Sequence, residues 1–162
     1  MLRRDKDNYY LDVAQIILSR ASCLRRKFGA VIVNKDKIIS CGYNGAPRGR
    51  QNCCDLNFCV RNKLNVSRGQ KYELCRSVHA EANAIIHSSL ENMMGSCLYL
   101  VGIEVKDSTY VENAVPCDMC KRLIINSGIE KVFARNTVDD FSVMNVSSWI
   151  EEDNGVEGLN IG

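Results

Sequence analysis

Two short segments of the chain combine residue types that bind zinc and move protons. They are HAE at 79–81 and PCDMC at 116–120, and each stands at the predicted start of a helix. The two thiolates of a Cys-x-x-Cys motif at a helix N-terminus can converge on one ion, and the free N–H groups there favour the thiolate form. The imidazole of His79 supplies a third ligand. Three protein ligands leave the fourth tetrahedral position to water, which is typical of a catalytic zinc site.

Glu81 is the residue that gives this predicted metal site a catalytic role. Zinc lowers the pKa of a bound water to about 7, so that hydroxide is available at neutral pH. Glu81 follows His79 by two residues and would lie near the ion without being needed as a ligand, where a carboxylate can carry protons between water and substrate. H-x-E followed at a distance by P-C-x-x-C is the signature of zinc deaminases of nucleobases. We therefore predict Glu81 as the catalytic residue and His79, Cys117 and Cys120 as ligands of a catalytic zinc.

Either segment alone is open to other interpretations. A histidine in a helix is commonly an ordinary polar residue, and an isolated Cys-x-x-Cys also occurs in redox-active and structural sites. A thioredoxin-like role explains neither His79 nor Glu81. A zinc-stabilised binding module without catalysis is the alternative from a different class of protein. Glu81 argues against that module, because a closed structural site has no use for an uncoordinated carboxylate.

Helices and strands must bring the two segments together, and the sequence predicts both. Apolar residues recur at steps of three and four over 8–22, which is typical of an amphipathic helix. Two β-rich runs separated by Asn-Lys-Asp predict an antiparallel hairpin of strands 29–33 and 37–41. Glycines and a proline predict a loop at 42–49. Further helices are predicted from 78 to the Gly-Ser break at 95–96, from Pro116 to the Ser-Gly stop at 127–128, and around Trp149 within 142–157, with strands at 97–101 and 131–135.

Element order and composition predict an α/β protein in which helices flank a mixed central sheet. With 162 residues, 46% hydrophobic and 25% charged, the chain has the size of one domain over 1–162. It has no stretch approaching the roughly 18 to 20 apolar residues of a membrane span and no secretory segment, so we expect a cytoplasmic protein without a membrane partner. A net charge of +2 disfavours a nucleic-acid partner. The basic cluster at 25–27 could still meet a phosphate, or be a solvated turn.

The segment from about 50 to 77 is a Cys-rich insertion without sustained periodicity. Nine cysteines is a high count for this length, and a reducing cytosol disfavours a disulfide framework. We predict that Cys23, Cys53, Cys59 and Cys75 hold a second, structural zinc, because metal binding supplies folding free energy directly. Cys54 is the alternative member of this set. Scattered free thiols are the competing interpretation.

The chain resembles the cytidine/deoxycytidylate deaminase family, and more closely its deoxycytidylate branch. The resemblance rests on HAEANAI at 79–85, PCDMC at 116–120, CLRRKFGAVIV at 23–33 and GYNGAPRG at 42–49, and it covers most of the chain. It implies a three-layer cytidine-deaminase-like fold and the hydrolytic deamination of dCMP to dUMP and ammonia. In that reaction C4 of the cytosine ring is attacked, and Glu81 passes a proton to N3 and then to the departing ammonia. The resemblance also implies that Asn44 holds the deoxyribose hydroxyl and that Ala80 contacts the substrate, although Asn-Gly is itself a strong turn former.

The same resemblance implies an assembly and its regulation. Members of this branch are commonly homo-oligomers, usually hexamers, activated by dCTP with Mg²⁺ and inhibited by dTTP. Their glycine-rich loop contributes to the effector site, which implies that Gly42, Tyr43 and Gly45 lie near the nucleotide and Arg48 near its phosphate. The insertion departs from the pattern, since related phage enzymes place a second zinc there with cysteine and histidine. This chain has no histidine between Arg48 and Val78.

Other deaminases share parts of the pattern. A tRNA adenosine deaminase has both metal motifs and a comparable asparagine, but it would need a basic surface facing the RNA. A free cytidine deaminase typically carries Cys-Ala-Glu in place of His-Ala-Glu. The deaminase half of a riboflavin-pathway enzyme is a further alternative, although the chain is too short for the reductase half that often accompanies it.

Overall fold

The computed structural model of the protein describes residues 2–152 and is built around a five-stranded sheet. In chain order its elements are the helix α1 (Lys6–Leu18), the strands β1 (Arg26–Asn34) and β2 (Lys37–Tyr43), the short helices α2 (Cys53–Leu56) and α3 (Val60–Lys63), a 3-10 helix (Tyr72–Leu74), the helices α4 (Ala80–Ile86) and α5 (Leu90–Met93), the strand β3 (Cys97–Glu104), the helix α6 (Asp118–Asn126), the strands β4 (Lys131–Arg135) and β5 (Phe141–Asn145), and the helix α7 (Val146–Glu152). The strands lie in the order β2-β1-β3-β4-β5. The β3–β4 pair is parallel and the other three pairs are antiparallel, so the sheet is mixed as predicted.

Helices cover both faces of this sheet, which makes the three layers that the sequence predicts. Successive residues of a strand point to opposite faces, and β1 follows this rule: Val31 packs in the cluster that contains α1, whereas Ile32 packs in the cluster that contains α4 and α6. Both residues are fully buried. The α/β fold with a mixed sheet between helices is therefore confirmed.

The predicted hairpin is present, and its turn explains the register of β1 against β2. Lys35 and Asp36 have φ values of 47° and 63°, which is the backbone that a two-residue hairpin turn of the right twist requires. Ala30 pairs with Gly42 across the hairpin, with a bulge between Ile32 and Val33. The hairpin thus places the end of β2 beside the start of α4.

Gly42 allows α4 to lie unusually close to the sheet. A Cβ atom at this position would come within 2.4 Å of both the Ala80 carbonyl oxygen and the Ala84 amide nitrogen. The Asn83 side chain donates a hydrogen bond of 2.8 Å to the Tyr43 carbonyl, and the buried Ser40 hydroxyl donates to the Ala84 carbonyl. These contacts fix the N-terminus of α4, and with it residues 79–81, against β2.

Several predicted boundaries are wrong, each for a local reason. The single helix expected from 78 to 95 is two helices, because Ser89 caps a new helix by accepting a hydrogen bond from the Asn92 amide. The first helix ends at Leu18 instead of Ser22, and β2 continues through Gly42 and Tyr43, which were expected in a loop.

The C-terminal part of the domain also differs from the expectation. The sequence analysis did not predict the strand β5, which begins the segment expected to be helical. Its side chains do not alternate clearly between buried and exposed, and within residues 2–152 it pairs with a neighbouring strand along one edge only. The helix around Trp149 is present as α7, and its expected end at 157 lies outside the described residues. The prediction of one domain over 1–162 also extends beyond them. Among residues 2–152, no helix combines the length and the apolar character needed to cross a bilayer.

Candidate active site

The three predicted metal ligands meet where two helices begin on the same face of the sheet. His79 is the N-cap residue of α4, and Cys117 is the N-cap residue of α6, with Cys120 inside the first turn. Pro116 therefore precedes the cap and does not occupy the first turn of α6 as expected. The sulfur atoms of Cys117 and Cys120 each lie 3.4 Å from Nδ1 of His79.

The spacing of these three atoms fits a tetrahedral zinc ion. A zinc ion about 2.0 Å from nitrogen and 2.3 Å from sulfur holds its N and S ligands about 3.5 Å apart. All three ligand atoms lie within 4.8 Å of one another, and in the part of the chain that the structure describes no other His, Cys, Asp or Glu group meets this criterion. One nitrogen and two sulfur donors are a set that zinc accepts, so His79, Cys117 and Cys120 could hold the ion.

The two thiols interact strongly with each other. The hydrogen bond from Cys120, together with one from His79 and against the effect of burial, lowers the pKa of Cys117 to about 4. The same hydrogen bond and burial raise the pKa of Cys120, and the contact with Cys117 raises the pKa of His79. The first of the two thiols therefore ionises readily. Ionisation of the second needs a nearby cation, and a metal ion coordinated by both sulfurs would supply it.

Glu81 is buried beside the ligands, in the first turn of α4. Its side chain is 5% exposed, and burial is the main reason that the pKa of its carboxyl is raised above the ordinary value, although the nearby His79 opposes the effect. A carboxyl with a raised pKa can both accept and return a proton near neutral pH. Among the cavity-lining side chains, that of Glu81 is the single carboxyl group.

A cavity of about 240 Å³ opens beside the metal ligands. His79, Cys117 and Glu81 line one end of it, together with the fully buried Ala80, which the sequence predicts as a substrate contact. Phe28 of β1 contributes an apolar wall. A planar base could therefore enter with its reactive edge toward His79 and Glu81.

Asn44 lines the cavity, and half of the hydrogen-bonding capacity of its side chain is already used. Its Oδ1 accepts a hydrogen bond of 2.8 Å from the Phe28 amide, and its Nδ2 donates one of 2.9 Å to the Arg26 carbonyl. A carboxamide has two lone pairs and two N–H groups, so one of each stays available for a ligand. Asn44 thus joins β1 to the end of β2 and still offers polar atoms to the cavity.

The predicted effector residues lie away from this cavity. Gly42 and Tyr43 belong to β2, and Gly45 forms a two-residue bridge with Val78 through backbone hydrogen bonds. Arg48 contacts Nε2 of His87 at 2.9 Å. Close packing against α4 is sufficient to explain why residue 42 is a glycine. An effector role for Gly42, Tyr43 and Gly45 stays a prediction.

The insertion brings its cysteines near one another without bringing their sulfurs to metal-binding distance. Cys23, Cys59 and Cys75 line the cavity, and Cys53 is buried. Burial first, and then the charges of the other three, raise the pKa of Cys53. Their sulfurs do not satisfy the spacing that the His79 group satisfies within residues 2–152. Cys54 is exposed, and its thiol points to Asp55 at 3.6 Å.

Two residues of the insertion, which the sequence analysis did not identify, lie next to the metal ligands. The Tyr72 ring meets the His79 ring edge-on, with centroids 5.1 Å apart. The Arg61 guanidinium lies over the Tyr72 ring, 4.7 Å from its centroid. Neither residue belongs to a periodic pattern or a motif, so only the path of the insertion reveals them.

Comparisons with known proteins agree with this geometry. Residues 4–135 match the family described as the cytidine and deoxycytidylate deaminase zinc-binding region. A deoxycytidylate deaminase of Mycobacterium phage D29 is 36% identical over 136 residues, which are 82% of this chain and 95% of that protein. A deoxycytidylate deaminase of Enterobacteria phage T4 is 30% identical, covering 96% of this chain and 90% of that protein.

A solved structure extends the similarity to three dimensions. The dCMP deaminase of cyanophage S-TIM5, in complex with dCMP and dUMP, aligns with a TM-score of 0.58 at 25% identity, over 84% of this chain and 85% of that one. Zinc-dependent deaminases are the class of protein that such a fold and site define. Because the family match covers residues 4–135, including both ligand segments and the strand β3 between them, the chain belongs to the cytidine and deoxycytidylate deaminase family.

Replacing Glu81 by glutamine preserves the side chain's shape and removes its ability to exchange protons. We expect Glu81→Gln to lower kcat by about 100-fold or more, while the zinc content stays at the wild-type level. Asp118→Asn is the matched control, since Asp118 adjoins Cys117 but its side chain is 88% exposed; it should keep full activity. Steady-state assays and metal analysis of both variants check this. Loss of zinc together with activity would identify Glu81 as a ligand instead.

Proposed function

We propose that this protein catalyses the hydrolytic deamination of dCMP to dUMP and ammonia. The observation that carries the proposal is the convergence of His79, Cys117 and Cys120 within 4.8 Å of one another, beside a buried glutamate at the end of a cavity. The relatives described above are deoxycytidylate deaminases, and the S-TIM5 enzyme forms a complex with both compounds of this reaction.

The residues that line the cavity have different roles in this reaction. His79, Cys117 and Cys120 would hold a zinc ion, and such an ion would supply an activated water for attack at C4 of the cytosine ring. Glu81 is placed to take a proton from water to N3, and then to move the proton of the hydroxyl added at C4 to the amino group, which leaves as ammonia. Burial supports this role, because it raises the pKa of the Glu81 carboxyl above the ordinary value, the direction that favours binding a proton in transit.

The walls of the cavity hold the substrate for this step. The free N–H and lone pair of Asn44 are suited to the deoxyribose hydroxyl, and Ala80 lies against the base. Buried Glu81 also argues against the silent zinc-binding module, since burying a carboxyl without a chemical role is costly.

A second proposed component is a structural zinc in the insertion, held by Cys23, Cys53, Cys59 and Cys75. The support is that Cys53 is buried and that burial and the other three thiols raise its pKa, so the four lie near one another; a bound zinc ion would have to draw their sulfurs closer together. The helices of the insertion have only four residues each, too short to be stable by themselves. Bound metal would supply the free energy that orders the segment.

We also propose that the protein acts as a homo-oligomer, a hexamer as in the related branch, under control of dCTP with Mg²⁺ and of dTTP. The exposed Tyr43 and the adjoining Gly42 and Gly45 are the residues proposed for the effector. None of these three residues is among those that line the cavity, although Tyr43 and Gly45 adjoin Asn44, which does.

The substrate can be tested by measuring ammonia release side by side from dCMP, dCTP, deoxycytidine, cytidine and a tRNA anticodon stem. We expect the highest kcat/KM for dCMP, because a phosphate pocket left empty forfeits charge-assisted hydrogen bonds. Equal turnover of deoxycytidine and dCMP would contradict the proposed substrate, and preferred turnover of the anticodon stem would place the protein among tRNA adenosine deaminases.

The second zinc can be tested by metal analysis of protein purified without chelator. We expect about two zinc ions per chain in the wild type, and about one after Cys59→Ser with Cys75→Ser. Cys41→Ser with Cys97→Ser is the control, because these two thiols lie on β2 and β3 and do not line the cavity. A wild type with a single zinc, retained by the Cys59/Cys75 variant at unchanged stability, would mean that the insertion cysteines are ordinary thiols.

A further inference from the structure

The charges that line the cavity are strongly unbalanced away from the metal ligands. Among residues 2–152 four arginines line it, whereas Glu81 is the single carboxyl group that does so. Arg26 is neutralised by Glu104, whose Oε1 lies 2.7 Å from its Nε. Within residues 2–152 no carboxylate oxygen lies within 4.0 Å of the other three arginines, which are Arg25, Arg61 and Arg68. The described lining of the cavity therefore carries a net positive charge.

Arg61 is the most unusual member of this group, because it is a buried cation without a counter-ion. Its side chain is 6% exposed, and its Nε has no hydrogen-bond partner among the described residues. One terminal nitrogen donates to the Ser67 and Gln70 carbonyls, at 2.8 and 2.6 Å. Carbonyl oxygens satisfy donors but do not neutralise a charge, and burying an unpaired charge is costly. An anion that enters the cavity would remove this cost.

The position of Arg61 relates it directly to the reacting end of the cavity. Its guanidinium packs on the Tyr72 ring, and that ring packs on His79. One aromatic ring thus separates the cation from a proposed metal ligand. A planar guanidinium presents a fork of N–H groups that matches phosphate oxygens, which the point charge of a lysine does not.

From this arrangement we infer that Arg61, with Arg68 of the same cavity lining, binds the 5′-phosphate of the nucleotide and so makes the enzyme select a monophosphate over a nucleoside. The inference rests on the proposed function. The Cys-rich insertion then takes part directly in the choice of substrate, besides its proposed role of holding a structural zinc. Arg68 is exposed, so it can approach an entering phosphate without a cost of burial.

The test compares dCMP with deoxycytidine in variants of these arginines. We expect Arg61→Met to lower kcat/KM for dCMP by about 10- to 100-fold, the value of a hydrogen bond to a charged group, and to leave deoxycytidine turnover close to the wild-type value. Arg68→Gln should lower the dCMP value by a smaller factor in the same direction. Arg61→Lys, which keeps the charge but loses the fork, should restore part of the preference.

Lys63→Gln is the matched control. Lys63 lies on the same helix α3, carries the same charge and is exposed, with its ammonium over the Phe58 ring and no part in the cavity lining. This variant should retain the wild-type preference for dCMP. It separates a specific phosphate contact from a general loss of positive charge in the insertion.

Turnover of deoxycytidine, which has no phosphate, distinguishes a loss of phosphate binding from a general disruption of the fold. If Arg61→Met slows both substrates by the same factor, Arg61 only holds the insertion together and the inference is wrong. If the wild type prefers dCMP and both Arg61→Met and Arg68→Gln keep that preference, the inference is wrong while the proposed function stands. If the wild type turns over both substrates equally, the proposed substrate fails and the phosphate site fails with it.

Discussion

The close contact between α4 and β2 is the constraint on which the rest of the site depends. Because Gly42 has no Cβ, the first turn of α4 can rest on the strand, and Asn83 and Ser40 hold it there. His79 caps this helix, so its imidazole is placed by the same contact. The N-terminus of α6 arrives on the same face of the sheet and brings the two thiols to His79. A site assembled from two helix starts is more rigid than one assembled from loops.

The site also brings together three kinds of group whose ionised form is costly to place there. Two adjacent thiols resist double ionisation, a buried carboxyl resists ionisation, and a buried guanidinium lacks a counter-ion. A metal ion would offset the cost of the thiolates, a proton that of Glu81, and the anion inferred above that of Arg61. These three unfavourable groups are the ones to which the proposals assign a function.

The sequence was informative where chemistry and periodicity act locally. The hairpin, the mixed sheet between helices and the meeting of His79 with Cys117 and Cys120 followed from spacing and turn residues. It was uninformative where tertiary contacts decide. The strand β5 depends on pairing with β4, and the cavity wall formed by Arg61 and Tyr72 depends on how an aperiodic insertion folds back over His79.

A crystal structure of the zinc-loaded protein, with anomalous scattering recorded at the zinc edge, tests the central claim most directly. We predict an ion about 2.0 Å from Nδ1 of His79 and about 2.3 Å from the sulfurs of Cys117 and Cys120. The carboxyl of Glu81 should lie close to the fourth position without occupying it. An ion coordinated by Glu81, or an absence of zinc signal at His79 while the protein is active, would contradict the account.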